Sequence, residues 1–253
     1  MAPGCRKPKT EFILATTTSV QDSGLLDVLL PAFTKAKGFV PQVVAVGSGQ
    51  AIAMARQGDA DAVLAHSPQA EQEVEQAGFV VERRKLMSNA FVIVGPPADP
   101  AGIRGRSVAH ALQALTQGKA SFVSRGDNSG THVKENQLWA SATLTPAGNW
   151  YLKAGQGMGA TLAMASELKA YTLTDQATFA VRGGPLQLEV LVKDDAALDN
   201  PYSIMIVNPK VHKHVNAAAA RALAAFLLSA EGQKLIGEYG VDKYGRALFT
   251  PVK

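Results

Sequence analysis

Four short segments concentrate hydrogen-bond donors where an apolar, strand-like run gives way to a helix-like one. They are Thr16-Thr17-Thr18-Ser19 after Phe12 to Ala15, Gly47-Ser48-Gly49 after Gln42 to Val46, His66-Ser67-Pro68 after Asp61 to Ala65, and the run from Ser124 to Thr131 after Ser121 to Val123. Helix N-termini at such junctions offer free N–H groups and a partial positive charge. In open α/β sheets, ligands gather outside the carboxyl ends of the strands. Thr17, Thr18, Ser19, Ser48, Ser67, Ser129 and Thr131 add hydroxyls, Gly130 adds a backbone N–H, and Arg125 is the only Lys or Arg in the set. Asp127 is the only carboxylate in the set. Such an excess of donors suits an anion with no proton to give, with Arg125 supplying a charge-assisted bond. Without partners, a buried dianion would cost many kcal/mol.

Taken singly, each segment is explained as well by helix capping, where a Ser or Thr contributes about 1 kcal/mol. The stretch from Arg125 to Thr131 is more specific, because it combines a charge, glycines and a helix start. Four such segments in one register point together to an anion site.

Other chemistry finds less support. Ser166 and Lys169 match Ser-x-x-Lys, but so short a match arises by chance, and LAMASELKAY has the pattern of an ordinary helix. His132 reads as a helix-surface residue, and no His and Asp partners for a serine nucleophile follow from the spacing. His212 and His214, read as i and i+2 on a helix, would point to different faces, so no metal site is expected. No Gly-rich loop with a lysine of the ATPase type is present. Arg83-Arg84-Lys85 lacks interleaved aromatics and reads as a solvated strand end, which argues against a nucleic-acid partner. The expectation is a binding protein, not an enzyme, without a cofactor.

The elements that position the four segments alternate between strand and helix. Asp22 to Lys35 has helical spacing and ends at Gly38; Gln50 to Gln57 and Gln69 to Gln76 also read as helices. This alternation predicts a largely parallel sheet covered on both faces. After the apolar run Phe91 to Val94, GPPADPAG reads as a linker into a second α/β block reaching about Asn200. Ser203 to Val207 then reads as a strand, and Val215 to Ser229 as an alanine-rich helix. With 253 residues and 47% hydrophobic content, the chain can bury the cores of two lobes. A net charge of +4 favours anions in general. The single cysteine, Cys5, permits no internal disulfide. MAPGCRKPKTEF lacks the apolar stretch of a signal peptide, so Cys5 reads as an ordinary terminal thiol although it follows glycine as a lipid-modified cysteine often does.

ATTTSVQDSGLLD, VGSGQAIAMARQGDADAVLAHSP, NAFVIVGPPADPAG, SRGDNSGTHVKE, GQGMGATLAMASELKAYTLTDQATF and NPYSIMIVNP together resemble the tungstate-binding components of ABC transporters. The resemblance runs from about residue 12 to the end. It implies the type II periplasmic binding-protein fold, two α/β lobes each built on a mixed sheet flanked by helices. Residues 10–94 with 203–253 would form one lobe and 95–202 the other, joined by two hinge strands near Val94 and Tyr202. It also implies a monomer that captures tungstate or molybdate between the lobes and delivers it to a membrane permease, outside the cytoplasmic membrane. Thr17, Thr18, Ser19, Ser48, Ser67, Arg125, Ser129, Gly130 and Thr131 would then be the ligand residues, with Asp127 orienting Arg125 through an ion pair. Three positions depart from the family's pattern. Ser88 and Ala90 stand where an aromatic and an acidic residue are expected, and Gln176 where an arginine is expected. A phosphate binder of the same fold would carry an acid after the third strand to accept the proton of hydrogen phosphate. His66 and Ser67 stand there instead, while sulfate, which has no proton, stays open on this argument.

Overall fold

The computed structural model describes residues 10–252, and Cys5 lies outside them. The first strand, β1 (Glu11–Thr17), leads directly into α1 (Thr18–Asp22) and α2 (Leu26–Lys37). Next come β2 (Val40–Val46), α3 (Ser48–Gln57), β3 (Ala62–Ala65), α4 (Pro68–Gln76) and the long β4 (Val80–Gly95). The middle of the chain contributes α5 (Val108–Gly118), β5 (Phe122–Ser124), α6 (Gly130–Ser141), β6 (Tyr151–Lys153) and α7 (Met158–Glu167). It continues through β7 (Thr172–Asp175), α8 (Gln176–Arg182) and β8 (Glu189–Val192). β9 (Asp199–Val207) returns to the first sheet, followed by α9 (Ala217–Leu227), α10 (Ala230–Glu238), α11 (Val241–Tyr244) and β10 (Thr250–Pro251).

The first sheet runs β10-β4-β9-β3-β1-β2. β1 is parallel to β2 and β3, but β9 is antiparallel to both β3 and β4. The sheet is therefore mixed, not largely parallel, because its central strand returns from the second block instead of arriving by a helical crossover. Successive residues of β9 face opposite cores, as the period of a strand requires. Ile204 and Ile206 join Phe12, Leu29 and Phe33, while Met205 and Val207 join Ile52 and Val74. Each such side chain contributes roughly 1.5–3 kcal/mol by leaving water.

β4 is a 16-residue strand serving two sheets. Its first part pairs with β9, and its last residues, from Phe91 to Gly95, pair with β7 and β8. There Phe91 and Ile93 pack with Leu112 and Trp139, and Val92 and Val94 with Met158 and Leu162 on the other face. β5 adjoins β7 through a bridge from Phe122 to Tyr171 and pairs with β6 on its other side. At one crossing, β4 leaves the first sheet and β9 enters it, and there Asn89 and Asn200 face each other.

Some expectations are corrected. The helix read from Asp22 to Lys35 is two helices, broken at Ser23 and Gly24. Gly24 has φ +76°, and a Cβ there would stand 2.7 Å from the Tyr239 hydroxyl, so the chain turns where only glycine fits. Arg83, Arg84 and Lys85 lie inside β4, paired with β9, and Arg83 reaches Glu75 at 2.9 Å and Glu71 at 3.5 Å. They lie within the strand and not at its end, although Arg84 and Lys85 are exposed as expected. His212 and His214 lie on a turn, not a helix, and their ring nitrogens bond the carbonyls of Arg56 and Gly58.

Candidate functional site

All four donor segments meet at one cleft. Thr18 follows β1, Ser48 opens α3, Ser67 precedes α4, and Arg125 to Thr131 join β5 to α6. An added Cβ at Gly47 would lie 4.0 Å from the Asp127 carbonyl oxygen and the Ser129 Cα, and one at Gly49 4.0 Å from the Asn128 carbonyl oxygen. The start of α3 therefore faces the start of α6 across the gap. One cavity of about 560 Å³ opens on the side of Ser48, His66, Ser67 and Gly130. A second, of about 460 Å³, opens on the side of Thr18, Arg125 and Asp127.

The backbone adds donors. In α3 the first closed bond runs from Ala51 N–H to the Gly47 carbonyl, and in α7 from Thr161 N–H to the Gly157 carbonyl. The N–H groups before them have no intrahelical acceptor. In α6 the Ser129 hydroxyl caps His132 N–H at 3.3 Å, which leaves the N–H groups of Gly130 and Thr131. The segment Gly155 to Gly157 at the start of α7 lines the second cavity. It is a fifth loop that residue-type reading passes over, because its glycines and Gln156 carry no hydroxyl or charge.

Arg125 is 2% exposed. Its guanidinium pairs with Asp127 and reaches the Thr18 hydroxyl at 3.4 Å. The pairing of Arg125 with Asp127 anticipated from the sequence is present. Burial alone would raise the Asp127 pKa, but hydrogen bonds from Ser129 and the charge of Arg125 outweigh it and hold the group below its ordinary value. Its second oxygen accepts the Ser129 N–H at 3.1 Å. Behind the loop, buried Glu135 accepts the Tyr151 hydroxyl at 2.5 Å and the Trp139 indole N–H at 3.3 Å. Burial pushes its pKa up, opposed by these bonds and by one to the Arg125 backbone.

Four buried polar atoms of this cleft find no hydrogen-bond partner among the described residues: Ser48 Oγ, Ser67 Oγ, Thr131 Oγ1 and Arg125 Nε. An unsatisfied buried donor costs about 1–3 kcal/mol, more when charged. Ser48 and Ser67 line the first cavity and Arg125 the second.

The remaining hydroxyls of the first segment are spent within the protein. Thr17 caps Val20 N–H at 3.3 Å and lies 3.1 Å from Ser19 Oγ, which lies 3.0 Å from His66 Nε2. Thr18 is thus the hydroxyl of this segment that faces Arg125. The Ser67 N–H goes to Glu71 at 2.7 Å, leaving its hydroxyl for the cleft. Burial raises the Glu71 pKa, against bonds from Ser203, Ser67 and Arg83.

His66 gave no signal of its role, because its partners are remote in the chain. The ring stacks on Tyr202 at 4.8 Å, and Nδ1 lies 2.9 Å from Asn200 Oδ1. Desolvation, with a further push from Arg125, lowers its pKa to about 4, so the imidazole is neutral. By contrast, Ser166 and Lys169 lie at the far end of α7. There the Ser166 hydroxyl accepts the Gln187 N–H at 2.9 Å, and Lys169 is exposed just past the helix. Among the described residues, no group of three or more His, Cys, Asp or Glu could hold a metal ion, and no helix is long and apolar enough to cross a membrane.

A family model for the PBP superfamily domain matches residues 6–231. A tungstate-binding protein, TupA, from Peptoclostridium acidaminophilum is 47% identical over 96% of this chain and 86% of its own length. A crystal structure of the tungstate ABC transporter from Geobacter sulfurreducens is 46% identical, with a TM-score of 0.85, over 92% of this chain and 100% of that one. The tungstate-binding protein TupA from Desulfovibrio alaskensis G20 is 42% identical, with a TM-score of 0.81, over 97% of this chain and 99% of that one. The chain belongs to the tungstate-binding proteins of the PBP superfamily.

Proposed function

We propose that this protein captures a fully deprotonated tetrahedral oxoanion, tungstate or molybdate, in the cleft and delivers it to an ABC importer outside the cytoplasmic membrane. The two lobes, residues 10–94 with 203–253 and residues 95–202, would close on the ion by bending β4 and β9. The observation that carries the reading is the convergence of unpartnered donors. The starts of α3 and α6 face each other, Ser48 and Ser67 line one adjoining cavity and Arg125 the other, and the hydroxyls of Ser48, Ser67 and Thr131 and the Arg125 Nε are buried without partners among the described residues. Two positive helix ends and a buried guanidinium in one gap repel one another unless an anion lies between them.

The acceptors argue for a dianion without a proton. Both Asp127 oxygens are taken, one by Arg125 and one by Ser129. His66 Nε2 is engaged by Ser19. A hydrogen phosphate in the cavity beside Arg125 would bring its O–H to a lining whose one carboxylate, Asp127, is already engaged, and a buried unpaired hydroxyl forfeits several kcal/mol. The relatives at 42–47% identity named for tungstate support the larger oxoanions over sulfate. A competition titration by calorimetry with tungstate, molybdate, sulfate and phosphate tests the reading. The expected result is a 1:1 complex with tungstate or molybdate far tighter than with phosphate; phosphate heat without tungstate heat would refute it.

A further inference from the structure

A single chain of hydrogen bonds runs from one half of the molecule, through the crossing strands, into the first donor segment. Asp175, at the start of α8, accepts from Asn89 Nδ2 at 3.2 Å. Asn89 Oδ1 accepts from Asn200 Nδ2 at 2.7 Å, which also donates to the Tyr202 hydroxyl at 2.9 Å. Asn200 Oδ1 meets His66 Nδ1 at 2.9 Å, and His66 Nε2 meets Ser19 Oγ at 3.0 Å. The members come from β7, β4, β9, the end of β3 and α1. They are joined across as many as 134 residues of sequence.

The direction of the chain follows from its end. The Asp175 oxygen that faces Asn89 also accepts the Thr178 N–H at 2.9 Å. With the carboxyl ionised, that oxygen is an acceptor only. Asn89 must therefore present its amide N–H₂ to Asp175 and its carbonyl oxygen to Asn200. Asn200 must in turn present N–H₂ to Asn89 and its carbonyl oxygen to His66. Only an Nδ1–H imidazole satisfies that contact, so Nε2 carries the lone pair and Ser19 donates to it.

We propose that His66 is a positioning residue for the oxoanion cleft, held as its Nδ1–H tautomer by the Asn89–Asn200 pair of the crossing strands. In that form it draws the Ser19 hydroxyl hydrogen away from the cleft and fixes the turn that presents Thr18 beside Arg125. Asp175, Asn89 and Asn200 thereby tie the first donor segment to the crossing where the halves bend. A second consequence concerns selectivity. With its lone pair committed to Ser19, the imidazole offers no acceptor to a protonated anion, although it stands where an acid would serve one. A Cβ on Gly130 would lie 3.0 Å from this Nε2, which places the nitrogen at the cleft wall.

Nitrogen-15 NMR of histidine-labelled protein near neutral pH tests the tautomer directly. The expected spectrum shows an N–H-type Nδ1 and a lone-pair-type Nε2 for His66; the opposite tautomer or an imidazolium overturns the proposal. Asn200→Asp should convert His66 to the doubly protonated ring, since a carboxylate beside Nδ1 stabilises the charge. A neutral ring with its proton on Nε2 in that variant also overturns it. The affinity part rests on the oxoanion reading and is read by tungstate titration. Asn200→Leu and Ser19→Ala should each weaken tungstate about tenfold, the usual scale for removing a group that orients a ligand residue. The double variant should lose about tenfold as well, because both act through one contact. Losses that multiply to about a hundredfold would show that Asn200 does not act through Ser19. Were wild-type protein to bind no tungstate, the proposed function would fall, and the NMR result would still decide the tautomer.

Discussion

Asp127 should help binding in the wild-type protein and harm it once Arg125 is gone. In the structure the buried Arg125 guanidinium is held by Asp127 and touches Thr18, with Nε free toward the cleft. Arg125→Ala removes one or two charge-assisted bonds to the oxoanion, about 1.5–3 kcal/mol each. It also strips Asp127 of its cation. A monoanion and a dianion about 6 Å apart repel by roughly 1.4 kcal/mol at the dielectric of water and about 5.5 kcal/mol at the value typical near a protein surface. The summed loss is at least about 3 kcal/mol, so tungstate affinity should fall by about a hundredfold or more while the fold persists. Asp127→Asn alone should weaken binding about tenfold, because the guanidinium loses its anchor. The same change in the Arg125→Ala background should restore affinity tenfold or more, because it removes the repulsion. Calorimetry or a competition titration on the four proteins reads the sign. If Asp127→Asn weakens binding in both backgrounds, Asp127 is not an electrostatic partner of the site in the sense argued here.

Other outcomes follow from the same geometry. Ser48→Ala should raise the melting temperature of the anion-free protein slightly, because it removes an unpartnered buried hydroxyl, yet cost about tenfold in tungstate affinity; a scanning-calorimetry pair with and without tungstate shows both signs. Gly130→Ala places a Cβ 2.7 Å from Ser48 Oγ and 2.8 Å from His66 Cε1 and should cost at least a hundredfold in affinity; unchanged binding would move the cleft elsewhere. Ser67→Asp should lower tungstate affinity sharply, since a carboxylate would face an anion with no proton, and tolerance would place Ser67 outside the contact set. The His66 pKa falls from 6.5 to about 4 on folding, so the unfolded chain binds the extra proton and stability is lost as pH drops from about 6.5 to about 4. That contribution is about 3 kcal/mol, and chemical denaturation of wild type against His66→Gln should show it as a difference confined to this window.

The positions of the donor segments were legible because residue type and place coincide in them. Hydroxyls and an arginine stand directly after apolar runs; three of those runs, β2, β1 and β3, lie side by side, and β5 brings the fourth from the other half. His66 was not legible as an organiser, since its meaning depends on Asn200 and, through it, Asn89, which only the crossing of β4 and β9 brings near. The start of α7 was missed because backbone N–H groups leave no mark in side-chain chemistry. The break at Gly24 was hidden by the apolar spacing on either side, and only the close Tyr239 hydroxyl shows why the helix stops. The departures at Ala90 and Gln176 become intelligible together. Phe91 pairs with Asp175 across β4 and β7, so the next residues outward on each side are Ala90 and Gln176. An acid at one and an arginine at the other would be neighbours, and losing one alone would strand a charge. Ser88 pairs with Pro201 and Thr250 at the sheet's edge, and nothing in the structure explains its type.

The place of β9 at the centre of the first sheet sets an order of events for a nascent chain. β1 to β4 emerge early, and β3 can pair with β1, but its other edge and the first part of β4 lack their shared neighbour until Asp199–Val207 has been made and threaded between them. Two open sheet edges, which readily recruit other strands, therefore persist through the synthesis of more than a hundred intervening residues. The middle block has no such wait, since apart from the end of β4 its strands and helices are contiguous in sequence. Refolding should show this block closing first and the sheet that bears both ends of the described chain closing last, at a rate limited by that long-range insertion.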